Sequence, residues 1–273
     1  MDFITVNGVR IGYERAGVGQ PLLLIGGTGM TAQLWTACGM RDLLVDAGFD
    51  AITYAARGVV PSDAPAAPYH VADLAADAAG LLDALGLSGV HVVGYSLGSF
   101  TAEVLTRKRP ELVASLALIA GAGPTSSVQR LAQTMEQELI RETGHLLDAV
   151  STLQVVLTGL PPAMLRDDDT VNRVAGMVGA TPWTSVAGQS GQSTASDDWL
   201  ADEERMASLA DIEVPTLVVC FEHDLAFPAR HGRVSADLLR RGSFVEVPEA
   251  AHLGPITHAE PTARAVIDHL LTI

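Results

Sequence analysis

Cysteine is almost missing from this chain. Cys38 and Cys220 are its two thiols, and both fall in apolar stretches. That excludes a disulfide scaffold, and two buried free thiols are the expectation. The opening "MDFITVNGVR" has an acidic second residue and no apolar h-region, unlike a secretory leader. Both features point to a cytoplasmic protein. The chain is 48% hydrophobic, yet no run is long enough for a membrane span, which needs roughly 18 uninterrupted apolar residues. Positive charge is scarce too: 17 Lys and Arg stand against 32 Asp and Glu, a formal net charge of −15. Such a surface repels phosphate backbones, which argues against nucleic-acid binding and disfavours anionic substrates. The one dense basic cluster, Arg107–Arg109, precedes Pro110 and suits the C-terminus of a helix. Internal repeats and low-complexity tracts are also lacking.

The 273 residues suffice for one large α/β domain with an inserted subdomain. "FITVNGVRIGYERAG" reads as a hairpin turning at Asn7-Gly8. "PLLLIGG" (21–27) is a continuous apolar run, as expected of a strand buried on both faces. A helix is expected over about 31–47, then a strand at 49–55, a helix at 71–86, a strand at 89–96 and a helix at 97–109. Residues 111–124 hold another buried strand. This alternation implies a mostly parallel sheet covered by helices. From about 125 to 210 the pattern turns helical, with no convincing strand. Alternation resumes with a strand in 214–224, a helix near 229–241, a strand within 243–252 and a final helix from about 258. The spacing therefore predicts a sheet interrupted by a helical insertion.

In "VHVVGYSLGSF" a strand runs into a helix through Gly94-Tyr95-Ser96-Leu97-Gly98. A serine held there with strained dihedrals needs small residues two before and two after it. Its hydroxyl would stand exposed above the sheet, at the N-terminus of the following helix. Such a hydroxyl needs a base. Of eight histidines, His252 lies just past the last strand, where a side chain can reach over the sheet. His223 is the runner-up, His91 sits at the wrong strand end, and His269 is expected on the exposed face of the last helix. Asp224, closing "TLVVCFEHD", is the carboxylate expected to orient the imidazole, with Glu222 as its competitor. Two backbone N–H groups are expected to hold an oxyanion: Leu97, after the serine, and Thr28, in the turn "IGGTGM". That turn lacks the lysine of a phosphate loop and the third glycine of a dinucleotide fingerprint.

With these residues in place, the chain resembles the α/β-hydrolase fold superfamily, in the branch of esterases, metal-free haloperoxidase-like enzymes and bacterial biosynthetic hydrolases. The elbow "GYSLGS", the acid strand "VVCFEHD" and the histidine loop "AAHLGPITHAEP" carry the likeness. It implies a mostly parallel eight-stranded sheet with helices on both faces, a core of residues 1–124 and 211–273, and a helical cap at 125–210. Three departures stand out. Gly26-Gly27 replaces the His-Gly of many relatives. "AARGVVPS" keeps Arg57, Gly58 and Ser62 of a common motif but has Ala55 and Val60 for its aspartate and a glycine. Phe221 replaces a glycine in the acid strand.

The implied activity is acyl transfer through Ser96, with Asp224 and His252 as partners, on a small apolar acyl or ring substrate. Trp183, Met135 and Leu139 are candidate pocket residues, although Met and Trp in such a segment also serve packing. The alternatives are acyl transfer to an alcohol, elimination, C–C cleavage, perhydrolysis, or a small-ligand receptor without turnover. No metal site or cofactor is expected: Glu222, His223 and Asp224 are contiguous and would point to alternate faces.

Overall fold

The computed structural model describes residues 1–178 and 182–273. Its elements in chain order begin with β1 (Asp2–Val6), β2 (Val9–Ala16), β3 (Gln20–Ile25), α1 (Leu34–Ala37), α2 (Met40–Asp46), β4 (Phe49–Tyr54), α3 (Val71–Ala84), β5 (Val90–Tyr95), α4 (Leu97–Lys108) and β6 (Val113–Ile119). Next come α5 (Ser127–Thr143), α6 (Asp148–Gly159), α7 (Asp168–Val178) and α8 (Val186–Ala201). The chain closes with β7 (Thr216–Phe221), α9 (Ala229–Leu238), β8 (Gly242–Val247), α10 (Gly254–Thr257) and α11 (Ala259–Leu270).

The eight strands form one sheet, in the order β1-β2-β4-β3-β5-β6-β7-β8. β1 and β2 are antiparallel, as are β2 and β4; every other pair is parallel. The hairpin turns where its sequence says it should. Asn7 and Gly8 both have positive φ, 52° and 76°, which is the two-residue turn that matches strand twist. The parallel strands are buried on both faces, and their side chains divide by the period of two. Leu23 and Ile25 join Val92, Leu118 and Val218 in a core shared with α3 and α4 residues such as Leu74 and Phe100. Leu22 and Leu24 join Val93, Ala117 and Val219 in the opposite core, with Met40, Leu44 and Val266. This is why "PLLLI" and its counterparts read as unbroken apolar runs.

The strand order reverses at β3, which has β4 on one side and β5 on the other. Ile25 pairs with Gly94, so the turn after β3 and the turn after β5 emerge side by side at the carboxyl edge. Open α/β sheets bind ligands at such a switch point.

Two expectations are corrected. The helix foreseen over 31–47 is two, because Gly39 takes a φ of 82° between α1 and α2. His269 is half-buried rather than on the exposed face. Burial and backbone carbonyls at Leu116 and Pro215 govern it, with burial dominant and lowering its pKa. Cys38 and Cys220 are both free, and burial raises both thiol pKa values. Among the described residues, no helix is long and apolar enough to cross a membrane.

One buried charge lies in the helix that follows Ser96. Glu103 is 4% exposed. Burial pushes its pKa up to about 8, against the pull of Arg107 and Arg205. The folded chain therefore keeps this proton where the unfolded chain has already released it, above the ordinary value of 4.5. Its contribution to stability is full below that value and declines as pH rises toward 8. Glu103→Gln, which stays neutral, should gain Tm over the parent progressively between pH 5 and pH 8. Thermal melts across that range check it: a constant difference would mean Glu103 titrates alike in both states.

Candidate active site

The turn after β5 is sterically determined. Ser96 has φ 53° and ψ −120°, a conformation that L-residues rarely adopt. A Cβ on Gly98 would stand 2.1 Å from the Ile25 carbonyl oxygen, and one on Gly94 would stand 2.3 Å from that of Gly98. Only glycine lets β3, β5 and α4 approach so closely. Ser96 is consequently left partly exposed at the N-cap of α4. The N–H of Leu97, first in that helix, belongs to the set with no intrahelical acceptor.

Three side chains predicted from sequence meet there. His252 Nε2 lies 3.1 Å from Ser96 Oγ, and His252 Nδ1 lies 2.8 Å from Asp224 Oδ2. Asp224 is 2% exposed. Its other oxygen, Oδ1, accepts the N–H groups of Ala226 and Phe227 at 2.8 and 2.9 Å. A carboxylate with three donors is fixed in position and can stabilise an imidazolium. An imidazole between a hydroxyl and such a carboxylate can take the hydroxyl proton and return it. The competitors lie elsewhere. Glu222 is exposed and accepts the Glu249 N–H at 2.9 Å. His223 faces Glu249 at 4.0 Å, and His91 is buried beside Ser115 at 2.7 Å.

Sequence reading missed the residues that hold the imidazole. The Tyr95 hydroxyl donates to the His252 carbonyl oxygen at 2.9 Å. Burial above all, and then the charge of Asp224, raise the Tyr95 pKa and keep that proton in place. The His252 ring lies between Tyr95 and Phe227, with centroids 5.5 and 5.7 Å away. Tyr95 was legible only as the variable residue of the elbow, and Phe227 carried no signal beyond its place near Asp224.

Thr28 is exposed in the turn after β3. The turn abuts the serine: a Cβ on neighbouring Gly27 would lie 3.1 Å from Ser96 Cβ. Trp183 lies against the same turn, since a Cβ on Gly29 would stand 3.0 Å from its ring. Met135 and Leu139 both lie on α5, where Leu139 is half-buried. Met135 is 36% exposed on α5, a helix with no buried residue.

A cleft of about 470 Å³ runs along the other side of Asp224. Leu157, Leu160 and Leu165 form one wall, and Glu222, His223 and Leu225 the other. Ser96 and His252 do not line it. On its rim, Glu222, His223 and Glu249 bring ligand atoms within 4.8 Å of one another, a spacing that a cation could use. Glu249, not Asp224, completes that set, because Asp224 turns inward to His252. The cluster is acidic, with both carboxylates exposed and His223 half-buried, and Ser96 and His252 are not part of it.

Known proteins resemble this chain along nearly its whole length. A Mycobacterium tuberculosis protein provisionally named as a non-heme bromoperoxidase, BpoC, is 28% identical over 97% of this chain and 99% of its own length. Rhodomycin D methylesterase DauP of a Streptomyces species is 26% identical over 91% of this chain and 90% of its own. The crystal structure of a hydrolase from Pseudomonas aeruginosa superposes with a TM-score of 0.83 at 28% identity, covering 98% of this chain and 97% of that one. Residues 20–259, the span that carries the parallel strands and every residue of the site, match one family as a whole, and the chain belongs to it: the alpha/beta hydrolase fold.

Proposed function

We propose that this protein is a serine hydrolase cleaving a carboxylic ester, or a related acyl bond, of a small apolar substrate. The observation that carries the reading is the continuous chain of contacts from Ser96 Oγ through His252 to the buried Asp224. His252 Nε2 takes the Ser96 proton as Oγ attacks the carbonyl carbon. The developing oxyanion is held by the N–H groups of Leu97 and Thr28. Collapse of that intermediate expels the alcohol, which leaves with the proton from His252. Water then attacks the acyl-enzyme, gives a proton to His252, and releases the acid as Ser96 Oγ is reprotonated. Ester and water become acid and alcohol. Helices α5–α8, in residues 125–210, act as the cap over this site, and the half-buried Trp183 ring against the turn after β3 favours apolar substituents. The relative named as a methylesterase supports the same chemistry.

Labelling with a fluorophosphonate, followed by locating the adduct, is the direct test. The adduct is expected on Ser96 alone; modification elsewhere, or none in active protein, would refute the assignment. p-Nitrophenyl esters of rising chain length then size the pocket. A second reading is favoured by the relative named as a bromoperoxidase. In it, hydrogen peroxide replaces water on the acyl-enzyme and a peracid leaves. Peracid formation that requires both Ser96 and an added carboxylic acid or ester would support it.

A further inference from the structure

The turn that bears Thr28 has a specific shape. Met30 N–H donates to the Gly27 carbonyl at 3.0 Å, closing a four-residue turn. Gly29, its third residue, has a φ of +66°, whereas Thr28 is not among the residues of positive φ. That combination is a type II turn. Type I differs from it by a flip of the central peptide, here the one joining Thr28 to Gly29, and glycine tolerates either state. Something outside the turn has to choose between them.

The chooser comes from α8. Gln192 is 1% exposed. Its Oε1 accepts the Gly29 N–H at 2.9 Å, and its Nε2 donates to the Arg57 carbonyl at 2.9 Å. The amide is thus oriented at both ends: reversing it would set a donor against the Gly29 N–H and an acceptor against the Arg57 carbonyl. The Arg57 end is itself anchored, because its guanidinium holds the buried Asp77 through Nε and Nη2, at 2.7 and 2.8 Å. Beside it, Gly58 abuts Gly188 so closely that a Cβ on either would lie within 3 Å of the other's backbone.

We propose that Gln192 is a positioning residue of the oxyanion site. It locks the Thr28–Gly29 peptide in its type II orientation, which sets the Thr28 carbonyl and the Gly29 N–H directly and, by tying the turn to α8 at the residue after Thr28, restrains the Thr28 N–H on the preceding peptide. The role rests on the reading of Ser96 as nucleophile and of Thr28 as oxyanion donor. Gln192 touches no reacting atom, so its loss should cost less than the loss of a donor itself, which is worth about 100- to 1,000-fold in kcat.

The test is Gln192→Met, which keeps length and volume but neither hydrogen bond. With p-nitrophenyl acetate, kcat should fall about tenfold while KM stays within about twofold, because the donors bind the transition state more than the ground state. A trifluoromethyl ketone, whose hemiketal oxygen needs the same donors, should weaken by the same factor. In the parent itself, the Gly29 amide should be protected from hydrogen exchange, a reading that does not depend on any variant folding. Unchanged kcat in the methionine variant, a loss confined to KM, an unaffected ketone, or a freely exchanging Gly29 amide would each overturn the role. Fluorophosphonate labelling of the parent is read first. An unlabelled Ser96 removes the nucleophile reading and this one with it; a labelled Ser96 with unchanged Gln192→Met kinetics removes this one alone.

Discussion

Ser96→Gly is expected to abolish ester turnover and still leave the protein more stable than before. The two effects share one cause. At φ 53° and ψ −120°, the serine backbone is strained, at a cost of about 1–3 kcal/mol for a non-glycine residue. Glycine removes that strain, and gives back about 0.5–1 kcal/mol through its freer unfolded chain. The balance is a gain of roughly 1 kcal/mol, or about 2–4 °C in Tm for a domain approaching this size. Meanwhile the nucleophile is gone, and kcat should fall on the order of 10⁶-fold. Ser96→Ala should lose the same activity without the gain in Tm, since alanine keeps the Cβ. Calorimetry and hydrolysis of a p-nitrophenyl ester on the three proteins decide the matter. A glycine variant less stable than the alanine variant would show that the elbow is not strained.

Arg57→Met should be the most damaging single change away from the serine. Asp77 is 1% exposed, and its charge is met by the bidentate Arg57 guanidinium and by Asn7 Nδ2 at 3.1 Å. Methionine leaves that carboxylate buried without its cation, which costs about 3–5 kcal/mol. Arg57→Met with Asp77→Leu should recover most of the loss, because replacing both members of a buried pair by apolar groups is often close to neutral. Urea unfolding of the two singles and the double measures this. If the double is as unstable as the sum of the singles, the pair is not coupled as described. The single should also lower kcat modestly, because the Arg57 carbonyl anchors Gln192.

The parts that sequence revealed are those decided by short-range rules. The Asn7-Gly8 turn, the apolar runs of β3 and β7, and the glycines around Ser96 each follow from local sterics or burial. Position and chain order then ranked Asp224 and His252, since each lies in the loop that follows a strand, at the edge where Ser96 emerges. What stayed hidden is long-range. Gln192 is 163 residues from its partner Gly29, and nothing in "GQSGQS" distinguishes it from an exposed polar residue. Tyr95 meets the His252 carbonyl across 157 positions. Met135 and Leu139 are pocket candidates by hydrophobicity alone; on α5 Met135 is exposed and Leu139 half-buried. The single helix read over 31–47 failed because Gly39, at a φ of 82°, separates two short helices, and apolar periodicity alone does not register such a break.

The segment between β6 and β7 touches four loops around the serine. Gln192 binds the turn after β3, Thr184 N–H and the Val59–Trp183 bridge join the loop after β4, Ser126 Oγ donates to Leu225 beside Asp224, and Leu253, next to His252, donates its N–H to Gly159. A chimera that received this segment from a relative would inherit mismatched seams at four places. Swapping lids to change selectivity would therefore require co-transplanting residues 27–30, 57–62, 225 and 253 of the recipient scaffold, and a graft made without them should falter in turnover before it falters in substrate affinity.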